Sequence, residues 1–389
     1  MPSAASLCAA CASLAGGIAI GMIFGDGLKR LISPSAKLPE GSKEVPLTGD
    51  DKKDFLSIFQ ALTEELLASI EPYSFPPRAA KYIEAMMTYN VPHGKLTRGL
   101  TVIHSLRSIR GGTLSSVDFR RAAVLGWCVE WLQAMFLVMD DIMDESETRR
   151  GQPCWYLRED VKMNAINDGL ILEAQIYVLL KRYFGTDAEY VQLMELMHET
   201  TYQTALGQFL DLTTAEPHKV DFSLFSMEVY SKIVIYKTAM YSFYLPVACG
   251  MVLGGISDPK LFSQTKQICM EMGHLFQVQD DYLDCYGDPE FIGKVGTDIY
   301  DNKCGWLINK ALLICSSEQK KVLELNYAKR DKECEKKVKQ VYKELDLEAH
   351  FREHEEKSHA KLLSMISQVK GMPTDILATL LAKIYKRNK

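Results

Sequence analysis

Two short acidic runs constrain this chain more than any other feature: Asp140, Asp141 and Asp144 in DDIMD, and Asp280, Asp281 and Asp284 in DDYLD. Each ends a long apolar stretch of helical spacing, residues 116–144 and 259–286. Residues i and i+4 share a helical face, so Asp140 projects with Asp144 and Asp280 with Asp284. Like charges stacked this way repel, by roughly a few tenths of a kcal/mol per exposed pair. The helix C-terminus already carries partial negative charge, which adds to the cost. A single run of this kind is most often a solvated helix end. Two runs in matching contexts call for a hard divalent cation, because magnesium takes oxygen ligands and commonly bridges carboxylates to phosphate oxygens. Neither run has the glycine-turned loop of a calcium-binding EF-hand.

From Lys52 onward apolar residues recur at helical spacing in almost every window, without sustained period-two alternation or hairpin signals. The fold class expected is all-α, a single large helical bundle. The two apolar stretches that end in aspartates are hydrophobic around most of their circumference, as in central helices. Ser116, Asp168 and Ser317 are candidate helix caps. Further helices are expected over 189–205, 223–233 and 239–252, and the mixed charges of 331–358 suggest a solvated outer pair. The chain has 389 residues, 47% of them hydrophobic and 24% charged, enough for a large core.

The formal net charge of -5 leaves no basic excess for nucleic-acid binding. Ten cysteines without paired spacing read as reduced thiols, and the lone pair Cys8 and Cys11 lacks the second pair a zinc site needs. Residues 4–24 carry no charge, and 33–51 are rich in Pro, Ser, Gly and Lys. We read 1–50 as a leader and linker and 51–389 as the folded domain. The leader lacks the positive start of a secretory signal, and as a spanning helix it fits by length but is poor in Leu, Val and Phe. That gives no firm evidence for membrane insertion. The expected location is cytoplasmic, or mitochondrial if the segment is a presequence.

Basic residues cluster near the acidic runs in sequence. Arg149 and Arg150 follow the first run, within about two helical turns if the helix or its turn continues. Lys95 and Arg98 lie three apart at a helix start, where backbone amides also favour an anion. Lys237 and Thr238 lie in IYKTAMYSFYLP, and Lys294 and Lys303 flank the segment after the second run. Arginine is the natural bidentate partner of phosphate. Taken singly, each is most often a surface charge.

The stretches GKLTRGL, LQAMFLVMDDIMDESETRRGQPCWY, GQFLDL, YKTAMYSFYLP, FQVQDDYLDCYGDPEFIGKVGTDIYDNKC and KIYKRNK together resemble the trans-isoprenyl diphosphate synthases, closest to the farnesyl diphosphate synthases of eukaryotes. The resemblance runs from about Asp51 to Lys389. It implies an α-helical domain around a central cavity, a homodimer, and three magnesium ions, with manganese or cobalt as substitutes. By motif position, Asp140, Asp144 and Asp280 would be the principal metal ligands, supported by Asp141, Asp281 and Asp284. Arg149, Lys237 and Lys303 would hold the allylic diphosphate. Lys95, Arg98, Gln133, Arg150 and Arg387 would hold isopentenyl diphosphate. Thr238 and Gln277 would face the reacting carbons, completing a catalytic set with Lys237 and Lys303, and Lys294 would help close the site.

Ionisation of the allylic diphosphate would give a cation that the isopentenyl double bond attacks, with proton loss to the departing diphosphate. The resemblance ties chain length to Met135 and Phe136, one helical turn before the first acidic run. This family's farnesyl synthases typically carry two aromatics there; Met135 replaces one with a side chain that can repack. A C15 product is expected, with C10 or a mixture as the alternative. A terpene synthase would need no isopentenyl site, and a non-catalytic subunit would have lost acidic residues; neither fits as well.

Overall fold

The computed structural model describes residues 38–216, 219–288 and 296–386. The helices used below are, in chain order, α1 (Asp51–Ser69), α2 (Pro77–Asn90), α3 (Thr97–Ile109), α4 (Ser116–Met143), α5 (Ala165–Phe184), α6 (Tyr190–Thr214), α7 (Met227–Ile233), α8 (Leu245–Leu253), α9 (Pro259–Tyr286), α10 (Trp306–Ile314), α11 (Ser317–Asn326), α12 (Lys332–Glu344), α13 (Leu347–Ser367) and α14 (Asp375–Ile384). The fold is all-α, with one minor exception among the described residues: Thr148–Arg149 (β1) pairs antiparallel with Gln152–Pro153 (β2). That two-by-two hairpin is too short to leave a periodic pattern in sequence.

Caps lie one residue upstream of two expected positions. Ser115 accepts from the Asp118 N–H at 3.0 Å and opens α4, and Ser316 forms a reciprocal capping box with Gln319 at α11. Asp168 is not a cap. It is buried inside α5 and accepts from the Tyr82 hydroxyl at 2.7 Å and the Trp155 indole at 2.8 Å.

Helix α4 packs against α3 and α5 and is buried along nearly its whole length. Among the described residues it alone is long and apolar enough to cross a membrane, and most of it is buried inside the protein. Trp127 stacks on Phe55 with centroids 4.2 Å apart and donates to the Phe55 carbonyl at 2.8 Å. Such an aromatic pair adds about 1 kcal/mol beyond its burial. Gly99 and Gly126 let α3 and α4 touch, since a Cβ on Gly126 would stand 2.5 Å from the Gly99 carbonyl.

The second acid-tipped helix is less enclosed than expected. Near its start α9 exposes Lys260, Ser263, Gln264 and Gln267, whereas from Ile268 to Tyr286 no residue is exposed. The charged pair α12 and α13 is not merely an outer layer either. It buries Val338, Tyr342, Leu347, Phe351 and Leu362, and Glu355 accepts from Gln279 of α9 at 2.6 Å.

The expected break between 233 and 239 does not occur. Instead α7 runs into α8 through a π-helical segment, Val234–Tyr244. Wide turns of this kind are uncommon and often sit at functional sites. Two neighbouring glycines accommodate it: a Cβ on Gly207 of α6 would lie 2.2 Å from the Lys237 nitrogen, and one on Gly273 of α9 would lie 2.2 Å from the Ala239 Cβ. Gly207→Ala is therefore expected to lower stability by about 2 kcal/mol or more. Urea unfolding measures this, and an unchanged midpoint would show that α6 and the π segment separate freely.

Candidate active site

The π segment stands between the two acidic helices. From α6, Asp211 receives Lys237 at 2.6 Å and lies 3.5 Å from Lys303. Lys237 is also 3.5 Å from Asp140, and Lys303 is 3.2 Å from Asp144. On the other flank, Thr238 contacts Gln277 of α9 at 3.5 Å, and Gln277 donates to Asp281 at 2.9 Å. The first acidic run thus meets the π strip directly through Asp140 and the second through Gln277, with Lys303 tying the first run to the loop that follows the second.

The middle aspartate of each run has a different task from its neighbours. Asp141 is buried and accepts from the Arg149 Nε at 2.9 Å. Asp281 is buried too, and takes the backbone N–H of Trp306 at 2.7 Å where α10 begins. Burial raises the pKa of both carboxyls, against the hydrogen bonds that favour ionisation. Asp140, Asp144, Asp280 and Asp284 remain half-buried, and Asp284 accepts from the Asp298 backbone at 3.0 Å.

The lysines are held charged. Burial opposes ionisation of Lys237, yet Asp211 and Asp140 outweigh it; for Lys303 the sum of Asp211, Asp144 and Asp140 does the same. Conversely, burial works against Asp211, but the two lysines hold its pKa below the usual carboxylate value. Gln208, one turn before Asp211, donates to Asp140 at 3.0 Å. Neither Gln208 nor Asp211 was singled out from sequence, although both lie in GQFLDL; their mark is a pair of polar side chains three apart on one face of a helix.

Arg149 and Arg150 are placed by the hairpin and not by a continuing helix. Arg150 and Gly151 form its two-residue turn, both with positive φ, 54° and 77°. A non-glycine residue there is unusual and costs backbone strain. Arg149 turns toward Asp140 and Asp141, and Arg150 turns toward Gly94, where a Cβ would lie 3.2 Å from its Nε. Cys154 packs beside Asp141, and burial together with that carboxyl pushes its thiol up to about 12. A cavity of about 220 Å³ opens here, lined among others by Asn90, Gly94, Leu137, Asp141, Arg149 and Arg150.

The second basic group is carried by the start of α3 and the turn before it. Arg98 donates to Ser242 at 2.8 and 3.0 Å and to the Tyr241 hydroxyl at 3.3 Å; Lys95 is exposed in the turn before it. Met135 is buried, while the half-buried Phe136 faces Tyr241 with ring centroids 6.1 Å apart. Lys294, Arg387 and the leader lie outside the described residues. All the acidic donors are oxygens, several half-buried and flanked by lysine, a set that fits a hard divalent ion with an anionic ligand. The eight cysteines among the described residues are free thiols.

Residues 80–345 match the family model described as "Polyprenyl synthetase". The chain is 49% identical to the farnesyl pyrophosphate synthase of Candida albicans, over 87% of its own length and 98% of that protein. It is 46% identical to the farnesyl diphosphate synthase of Dictyostelium discoideum, over 92% and 96%. Among solved structures, T. brucei farnesyl diphosphate synthase complexed with risedronate superposes with a TM-score of 0.79 at 34% identity, covering 87% of this chain and all of that one. The chain belongs to the polyprenyl synthetase family.

Proposed function

We propose that this protein is a farnesyl diphosphate synthase, joining isopentenyl diphosphate to dimethylallyl and then geranyl diphosphate. The observation that carries the reading is the gathering of Asp140, Asp144, Asp211, Lys237 and Lys303 beside Thr238 and Gln277. Near-full-length similarity to farnesyl synthases supports the C15 product.

Asp140, Asp144 and Asp280 would hold magnesium, three ions in all, with Asp141, Asp281 and Asp284 behind them. When bound, magnesium would supply positive charge to neutralise the diphosphate. Arg149, Lys237 and Lys303 orient the allylic diphosphate and stabilise the departing anion. The bonding pair leaves with the diphosphate and an allylic cation remains. Arg98, Gln133, Arg150 and Lys95 hold isopentenyl diphosphate so that its double bond attacks the cation, forming the new carbon–carbon bond. A proton then passes to the diphosphate, restoring a double bond. Thr238 and Gln277 face the reacting carbons, where water must be excluded or it would quench the cation.

A homodimer fits the surface. Ile166 and Leu170 on α5, and Tyr202, Leu206 and Phe209 on α6, are exposed at helical spacing, an apolar face suited to a second copy.

Incubation with isopentenyl and dimethylallyl diphosphates and magnesium should yield chain-elongated diphosphates; hydrocarbons or no turnover would refute the proposal. Asp140→Ala should lower kcat by roughly two to three orders of magnitude while the circular dichroism stays native, and near-normal rates would dismiss its ligand role. Phe136→Ala should lengthen the products seen by chromatography, whereas an unchanged spectrum places the floor elsewhere. In Asp211→Asn the lysines lose the largest of the charges that raise their pKa, so burial, opposed now only by Asp140 and Asp144, pulls it down. The alkaline limb of the pH–rate profile should then move to lower pH, and an unmoved limb would exclude that coupling.

A further inference from the structure

Glu130 is the sole charged residue between Arg121 and Asp140, and it is 2% exposed. Its Oε1 accepts the backbone N–H of Gly99 at 2.8 Å, in the first turn of α3. The approach needs glycine: a Cβ on Gly99 would stand 3.0 Å from the Glu130 Cγ and 2.9 Å from the Gly126 carbonyl. Gln133 satisfies both of its neighbours in one orientation, with its nitrogen donating to Glu130 Oε2 at 3.0 Å and its oxygen accepting from Arg98 Nη1 at 3.1 Å. The Nε and Nη2 of Arg98 go to Ser242 and Tyr241. Both Glu130 oxygens therefore act as acceptors; burial raises the pKa of the carboxyl, and the Gly99 N–H, Arg98 and Arg150 act against that rise.

We infer that Glu130 is a positioning residue for the isopentenyl diphosphate pocket: it fixes the amide polarity of Gln133 and, through it, the direction of Arg98. This rests on the proposed assignment of Arg98 and Gln133 to that substrate. An ionised carboxylate only accepts, so Gln133 must turn its NH2 toward it and its carbonyl toward the arginine. A glutamine at position 130 cannot reproduce this. One of its two amide orientations sets N–H against the Gly99 N–H, and the other sets it against the Gln133 NH2. In the second case Gln133 turns over and presents N–H groups to Arg98. The mismatch is thereby delivered to Arg98, one of the guanidiniums that the pocket needs in place.

The test is a double-variant cycle on the full-length protein, with Glu130→Gln and Gln133→Leu made singly and together. Isopentenyl diphosphate is titrated calorimetrically without allylic substrate, and KM is measured for both substrates. Glu130→Gln should raise the Kd and KM of isopentenyl diphosphate about tenfold, leaving the dimethylallyl diphosphate KM within about twofold of wild type. In the Gln133→Leu background, the further effect of Glu130→Gln should shrink below about twofold, because the relay is already gone. An undiminished effect there, an unchanged Kd in Glu130→Gln, or equal weakening of both substrates would overturn the role. Should Glu130→Gln not fold, Glu130→Asp replaces it in the cycle, since its shorter carboxylate cannot reach both Gly99 and Gln133. Absence of isopentenyl diphosphate binding by the wild-type protein would count against the proposed function itself.

Discussion

A half-buried nest of opposite charges organises this molecule. Asp140, Asp144 and Asp211 share Lys237 and Lys303, and Arg149 spans Asp140 and Asp141. Taken out of water singly, the carboxylates and lysines would tend to lose their charge. Held together, the carboxylates keep the lysines protonated and the lysines keep Asp211 ionised. The cations therefore stand ready beside the site before any diphosphate enters, so little reorganisation is left for the reaction itself.

Helix packing makes that nest possible. Gly207 and Gly273 allow α6 and α9 to press against the backbone and side chains of the π segment, which brings Gln208 and Asp211 from one side and Gln277 from the other. Behind them, the middle aspartates anchor structure: Asp141 fastens the hairpin through Arg149, and Asp281 fastens the start of α10 through Trp306. Each acidic run thus combines outer carboxylates near the site with an inner one that holds its surroundings. Just past the hairpin, Asp168 receives Trp155 and Tyr82, which ties that segment to α5 and α2.

Much of this was legible in the sequence. Helical periodicity located most helices to within a few residues, and among the residues named from sequence Asp140 meets Lys237, Asp144 meets Lys303, and Thr238 meets Gln277 beside Asp281. The π segment was not legible, because residues 234–244 hold no glycine or proline and the wide turn answers to glycines on two other helices. The hairpin escaped because two residues per strand make no pattern. Glu130, Gln208 and Asp211 went unassigned because their importance lies in tertiary partners; the signal each leaves is only a polar side chain on an otherwise buried helix face. The apolar surround expected of α9 holds from Ile268 onward and fails before it, since a window average does not resolve the two parts.

The central claim is that the two acidic runs act on a single diphosphate. A double-mutant cycle between Asp144 and Asp284 tests it, reading magnesium-dependent binding of an inert allylic thiolodiphosphate by calorimetry. Joint action predicts a coupling of about 1 kcal/mol or more between the two substitutions. Strictly additive losses, or binding that ignores either aspartate, would contradict it.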